Sequence, residues 1–173
     1  MRKHLLSLSV LGLLLFSTLA LAQNKEEKRY YYIGKIGEDL SIQMELLVEG
    51  SDVTIIATGH LVWEALEASK VLFERGISAE VINIHTIKPL DEKAILESVS
   101  KTGCIVTAEE HNIIGGLGES VARVLSLHKP TPQEFVGTND TFGESGTPAQ
   151  LMEKYGLNSV SIVSKAETVV KRK

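Results

Sequence analysis

The chain has 173 residues, 43% of them hydrophobic and 23% charged, with a formal net charge of −4. That is the size of one ordinary domain, with enough apolar material for a core and too little charge to favour disorder. The mild acidity and the lack of a basic patch interleaved with aromatics argue against a nucleic-acid binder. The single cysteine, Cys104, excludes any intramolecular disulfide.

The first residues differ in kind from the rest. Met1-Arg2-Lys3-His4 is basic, Leu5 to Phe16 is almost wholly apolar, and Ala20-Leu21-Ala22 supplies the small residues that a signal peptidase reads. The apolar run is shorter than the roughly 20 residues that a bilayer-spanning helix needs. Residues 1–22 are therefore expected to be a cleaved signal peptide that leaves no stable membrane anchor and sends the chain to the periplasm or beyond. Residues 23–50 read as a short linker, with charged Asn24 to Lys28, followed by a β-hairpin segment of unclear origin. Its second strand would carry the alternating Ile42, Met44 and Leu46.

From Ser51 strands alternate with helices. Val53 to Ala57 is a continuous β-branched run, as in a strand buried on both faces. Leu61, Ala65, Leu66, Ala68 and Leu72 then recur at helical spacing, and Arg75-Gly76 stops that helix. Ala79 to Ile84 is a second strand, Thr86 to Leu90 a turn, and Asp91 an N-cap for a helix through Ser100. Cys104 to Ala108 forms a third strand, ending in a Glu109-Glu110-His111 tip and a glycine loop that opens a helix over Glu119 to Leu127. Gln133 to Val136 is a short strand and Gly137 to Pro148 a loop of turn residues. Helices follow near Ala149 to Tyr155 and Ser159 to Arg172, separated by Gly156. Such alternation with short links predicts an α/β three-layer sandwich around a mostly parallel sheet of four or five strands, over residues 51–173.

Four blocks in this stretch carry a resemblance: Gly50 to Gly59, His85 to Asp91, Val106 to Gly118, and Asp140 to Gly146. In that order and spacing they resemble the C-terminal domain of transketolase-like enzymes, most closely the C-terminal section of split transketolases, over about residues 46–171. Residues 1–45 do not match. The resemblance implies a thiamine-diphosphate enzyme that moves a two-carbon ketol unit between sugar phosphates. It also implies that the pyrimidine- and diphosphate-binding domains, with the cofactor and its Mg, belong elsewhere. This chain would then bind no cofactor alone, would complete a homo- or hetero-oligomer, and would work in the cytoplasm. The export signal points the other way.

Residue by residue, the chemistry is sparse. Glu109, Glu110 and His111 could serve acid–base work or a metal, but consecutive side chains on an extended segment alternate faces and cannot all reach one ion. In the family this strand end lies near a subunit interface and pocket rim, so Glu109, Glu110, His111, Gly115, Gly116 and Gly118 are the interface or pocket-rim candidates, with no catalytic or metal-binding residue assigned. The glycine loop could offer N–H groups to a phosphate or serve only a tight turn and close helix packing. A dinucleotide fingerprint would require glycine where Val121 stands. His60 and His85 follow strands and suit solvated or capping roles, Trp63 and Phe73 suit helix packing, and Cys104 suits a small buried hydrophobe. Lys171-Arg172-Lys173 would complement the dipole of the last helix.

Two further readings remain open: an exported stand-alone α/β binding module, and a truncated or chimeric product joined near Gly50-Ser51. N-terminal sequencing of the chain secreted from a bacterial host is expected to begin at Gln23. A mature chain still starting at Met1 would count against the signal.

Overall fold

The computed structural model describes residues 44–173; the signal-like run, the charged linker and the first strand of the expected hairpin lie outside them. Five strands form one sheet: β1 (Glu45–Val48), β2 (Val53–Ala57), β3 (Ala79–Asn83), β4 (Ile105–Asn112) and β5 (Gln133–Thr138). Between and after them come α1 (Leu61–Glu74), α2 (Glu92–Thr102), α3 (Leu117–His128), α4 (Pro148–Lys154) and α5 (Ser159–Val170). The spatial order is β1-β3-β2-β4-β5. The β2–β3, β2–β4 and β4–β5 pairs are parallel, and β1 runs antiparallel to β3.

The alternation of side chains along each strand builds two cores. Val53, Ile55, Ala57, Val81, Val106 and Ala108 face α1 and α5, meeting Leu61, Ala65, Leu72, Ile162 and Ala166. Ile56, Ile82 and Ile105 face α2 and α3, meeting Ile95, Val99, Leu117 and Val121. Every residue of β2 is buried, because the central strand of a sheet covered on both faces meets no water. The three-layer α/β sandwich is therefore present, and the sheet has five strands.

The strand expected around Ile42 to Val48 begins at Glu45 among the described residues. It pairs along β3, with Glu45 opposite Asn83 and Leu46 opposite Ile82, so the sheet includes residues ahead of Ser51. The turn from β1 into β2 is pinned by Ser51 N–H and Asp52 N–H donating to the Ser78 carbonyl at 3.1 and 2.8 Å. In return Ser78 N–H donates to Asp52 Oδ2 at 2.7 Å.

Other local signals act as their chemistry dictates. Asp91 accepts from Ala94 N–H at 3.0 Å and caps α2. That helix runs past Ser100 to Thr102 and stops at Gly103, whose φ is +77°. Its inner side is polar: Thr54 Oγ1 lies 2.6 Å from Ser98 Oγ and 2.7 Å from Thr102 Oγ1. Ser98 donates to buried Glu80 at 2.5 Å, and Lys101 pairs with the other Glu80 oxygen. At the far end of the chain, Arg172 donates to Glu134 at 2.5 Å and Lys165 to the same carboxylate at 2.9 Å, tying α5 to β5. Arg172 thus acts through an ion pair on the sheet edge, beyond the helix-dipole role expected of it. Lys173 lies over Gly103, at the amino edge of the parallel strands.

Gly50 sits where no side chain fits. A Cβ there would stand 2.2 Å from both Ala79 C and Glu80 N, which are backbone atoms that cannot swing aside. Gly50→Ala is expected to cost about 1–3 kcal/mol through overpacking. A denaturant midpoint equal to wild type would refute that reading.

Candidate functional site at the carboxyl edge of the sheet

The Glu109-Glu110-His111 segment is more regular than a strand with a charged tip. Strand β4 continues through all three residues to Asn112. Ala108 pairs with Val136 and Asn112 with Thr138, so three residues of β4 face the single Gly137 of β5, and the strand bulges. Gly137 is the residue that permits this, since a Cβ would meet Ile113 Cγ2 at 2.8 Å and the His111 carbonyl at 2.9 Å.

The bulge sends the three side chains to different places. Glu109 turns inward and is 2% exposed, while Glu110 and His111 are exposed. The Glu109 carboxylate accepts from Leu117 N–H at 2.7 Å and from Gly118 N–H at 2.8 Å. It is the cap of α3, because the N-cap residue Gly116 has no side chain to serve. The glycines are explained by what presses on them. A Cβ on Gly116 would lie 2.1 Å from Glu109 Oε2, and one on Gly118 would lie 2.5 Å from Phe135 Cδ1. Gly115 has φ +82° and donates to Glu119 Oε2 at 2.8 Å. Helix α3 accordingly begins at Leu117, two residues before the expected start.

An open groove of about 370 Å³ lies beside this cap, between the ends of β2 and β4. Thr58 and Gly59 line one side, and Glu109, Glu110, His111 and Gly116 the other, with Gly115, Leu117 and Ile87 completing it. Of the six candidates only Gly118 is absent from the lining. His111 Nδ1 lies 2.9 Å from the Asn112 carbonyl. A carbonyl only accepts, so Nδ1 carries the hydrogen and Nε2 of the neutral ring is an acceptor. Among the described residues, no group of three His, Cys, Asp or Glu side chains could hold a metal ion.

The remaining candidates lie apart from the groove. His60 stands at the N-cap of α1 but makes no side-chain cap bond. His85 is exposed, with Nδ1 2.9 Å from Thr86 Oγ1. In the loop after β5, Asp140 accepts from Asn112 Nδ2 at 3.1 Å, Glu144 pairs with Lys154 at 2.5 Å, and Thr147 caps α4 in a capping box with Gln150. Trp63 and Phe73, expected to pack, are 61% and 47% exposed. Phe142 and Ile114, both in the loops that the turn residues predict, are 98% and 57% exposed.

Cys104 precedes β4, is fully buried, and points its Sγ at the Asp52 carbonyl 3.3 Å away. Burial pushes its thiol pKa up, so the thiolate fraction at neutral pH falls. Iodoacetamide at pH 8 is expected to label Cys104 only under denaturing conditions; rapid labelling of the native chain would contradict this. Glu109→Ala is expected to cost about 1–3 kcal/mol, because two buried N–H donors lose their acceptor. An unchanged urea midpoint would sink the capping role.

The family described as transketolase, C-terminal domain, matches residues 43–162. The 6-deoxy-6-sulfo-D-fructose transketolase subunit of Clostridium sp. (strain MSTE9) is 52% identical over 128 residues, covering 74% of this chain and 40% of that protein. An apulose-4-phosphate transketolase subunit from Phocaeicola vulgatus is 39% identical over 126 residues, covering 73% of this chain and 40% of the relative. A solved split-gene transketolase, an inactive beta4 tetramer, superposes with a TM-score of 0.72 at 48% identity, over 74% of this chain and 42% of that one. The chain thus spans about two fifths of the length of each of these relatives. By the family match over most of its length, with sheet and helices in agreement, the chain belongs to the transketolase C-terminal domain family.

Proposed function

We propose that this chain is the C-terminal domain of a split transketolase-type enzyme, and that it completes and stabilises that enzyme without performing chemistry alone. The reaction of the whole would be transfer of a two-carbon ketol unit between sugar phosphates. Thiamine diphosphate, with Mg, would supply the carbanion chemistry when bound.

The observation that carries this reading is the commitment of the α3 head. A diphosphate needs free N–H donors or a cation, and the Leu117 and Gly118 N–H groups are already bonded to Glu109. The groove-lining residues include no lysine or arginine to neutralise phosphate charge. The groove residues do not fit the cofactor, which supports a seat on a partner. The relatives support the same division, since two of them are named as subunits.

The surface assigned to that partner is the carboxyl edge. Ile114 offers apolar area there, next to the groove-lining Gly115, while Glu110 and His111 offer polar contacts at the groove rim. Patches of this composition, apolar with a polar border, are what subunit interfaces bury. The basic, apolar and small-residue order of Met1 to Ala22 favours export as a second reading, with the domain acting on its own outside the cytoplasm.

Calorimetric titration of the isolated chain with thiamine diphosphate and Mg is expected to show no saturable binding. Tight binding by the chain alone would overturn the division of labour proposed here.

A further inference from the structure

The groove has the position of a phosphate site and the charge of its opposite. From β2 the chain moves to β3 on one side, then returns to β4 on the other. At such a switch point the crevice beyond the strand ends is where open α/β sheets hold ligands. One wall is the head of α3, a helix of 12 residues opened by a bare Gly116 backbone. In this chain both donors of that wall meet a buried carboxylate, at 2.7 and 2.8 Å. The fit is tight enough that Gly116 has no space for a Cβ beside Glu109 Oε2. A second carboxylate, Glu119, holds Gly115 N–H at 2.8 Å.

We propose that Glu109 is a built-in anion that sets the selectivity of the groove, barring phosphate-bearing ligands from the switch point. Its carboxylate fills the place a phosphate oxygen would take, satisfies the same two N–H groups and repels an incoming anion. A neutral acceptor reaching from β4 would meet a capping role alone. A charged side chain sent from β4 also excludes like charge. Resting on the subunit reading above, the consequence is that sugar phosphates and a diphosphate cofactor are left to the partner chain, with no competing seat here.

The test uses inorganic phosphate titrated into the folded chain at low ionic strength, followed through the amide resonances of Leu117 and Gly118. Wild type is expected to show no saturable shift. Glu109→Ala is expected to bind phosphate at least about ten-fold more tightly than wild type, through the two freed donors. Should the alanine variant fail to fold, Glu109→Gln keeps the side-chain volume, and phosphate is then expected to raise its melting temperature and leave that of wild type unmoved. Equal phosphate binding by wild type and variant, or a folded variant that binds none, overturns the proposal. The titration needs this chain only, so a negative result removes the role of Glu109 and leaves the subunit reading standing. Cofactor binding by the isolated chain that leaves the Leu117 and Gly118 amide resonances unmoved would do the reverse.

Discussion

A carboxylate withdrawn from water must find donors close by, and Glu109 finds them in the first N–H groups of α3. Much of the carboxyl edge follows from that one requirement. The bulge in β4 turns Glu109 inward, Gly137 makes the bulge possible, and Gly116 lets the carboxylate reach the helix. Leu117 then seals the core on the α2–α3 face of the sheet. The groove beside the cap takes its shape from the same parts and its sign from the same charge.

A second polar arrangement serves the other end of the sheet in a different way. Glu80, Ser98, Thr54 and Thr102 form a buried chain of hydrogen bonds, closed at the surface by Lys101. An apolar contact would let α2 slide by a fraction of a turn. Directional bonds to two neighbouring strands fix its register, since each displaced partner would leave a buried polar group unmet. No buried side-chain polar atom among the described residues lacks a partner.

The fold was legible because its signals are local. The β-branched run at Val53, the Asp91 cap and the stop at Gly76 each act within a few residues, and the structure places elements at each. What escaped the sequence was decided by residues far apart in the chain. Glu109 reads as one of three like neighbours, and only the bulge opposite Gly137 makes it differ from Glu110. The partner of Arg172 is Glu134, 38 positions away, so the tail looked like a dipole complement alone. Trp63 was expected to pack by its residue type, yet it stands two residues from both Leu61 and Ala65, about half a turn from the buried stripe of α1, and so faces solvent. Five of the six rim candidates line the groove, whereas Thr58, Gly59, Ile87 and Leu117 were not among them. That one of their carboxylates is already committed to a helix was not visible in the sequence.

The antiparallel direction of β1 has a practical consequence for handling the molecule. Glu45 pairs with Asn83, at the carboxyl end of β3, so the chain arrives at the sheet on the same edge as the groove. It leaves at Lys173 over Gly103, on the opposite edge. Anything fused upstream of Glu45 is tethered on the groove side, whereas a label or immobilisation handle beyond Lys173 hangs from the far side. The two ends of this domain are therefore not interchangeable attachment points: one of them crowds the groove, and the other leaves it clear.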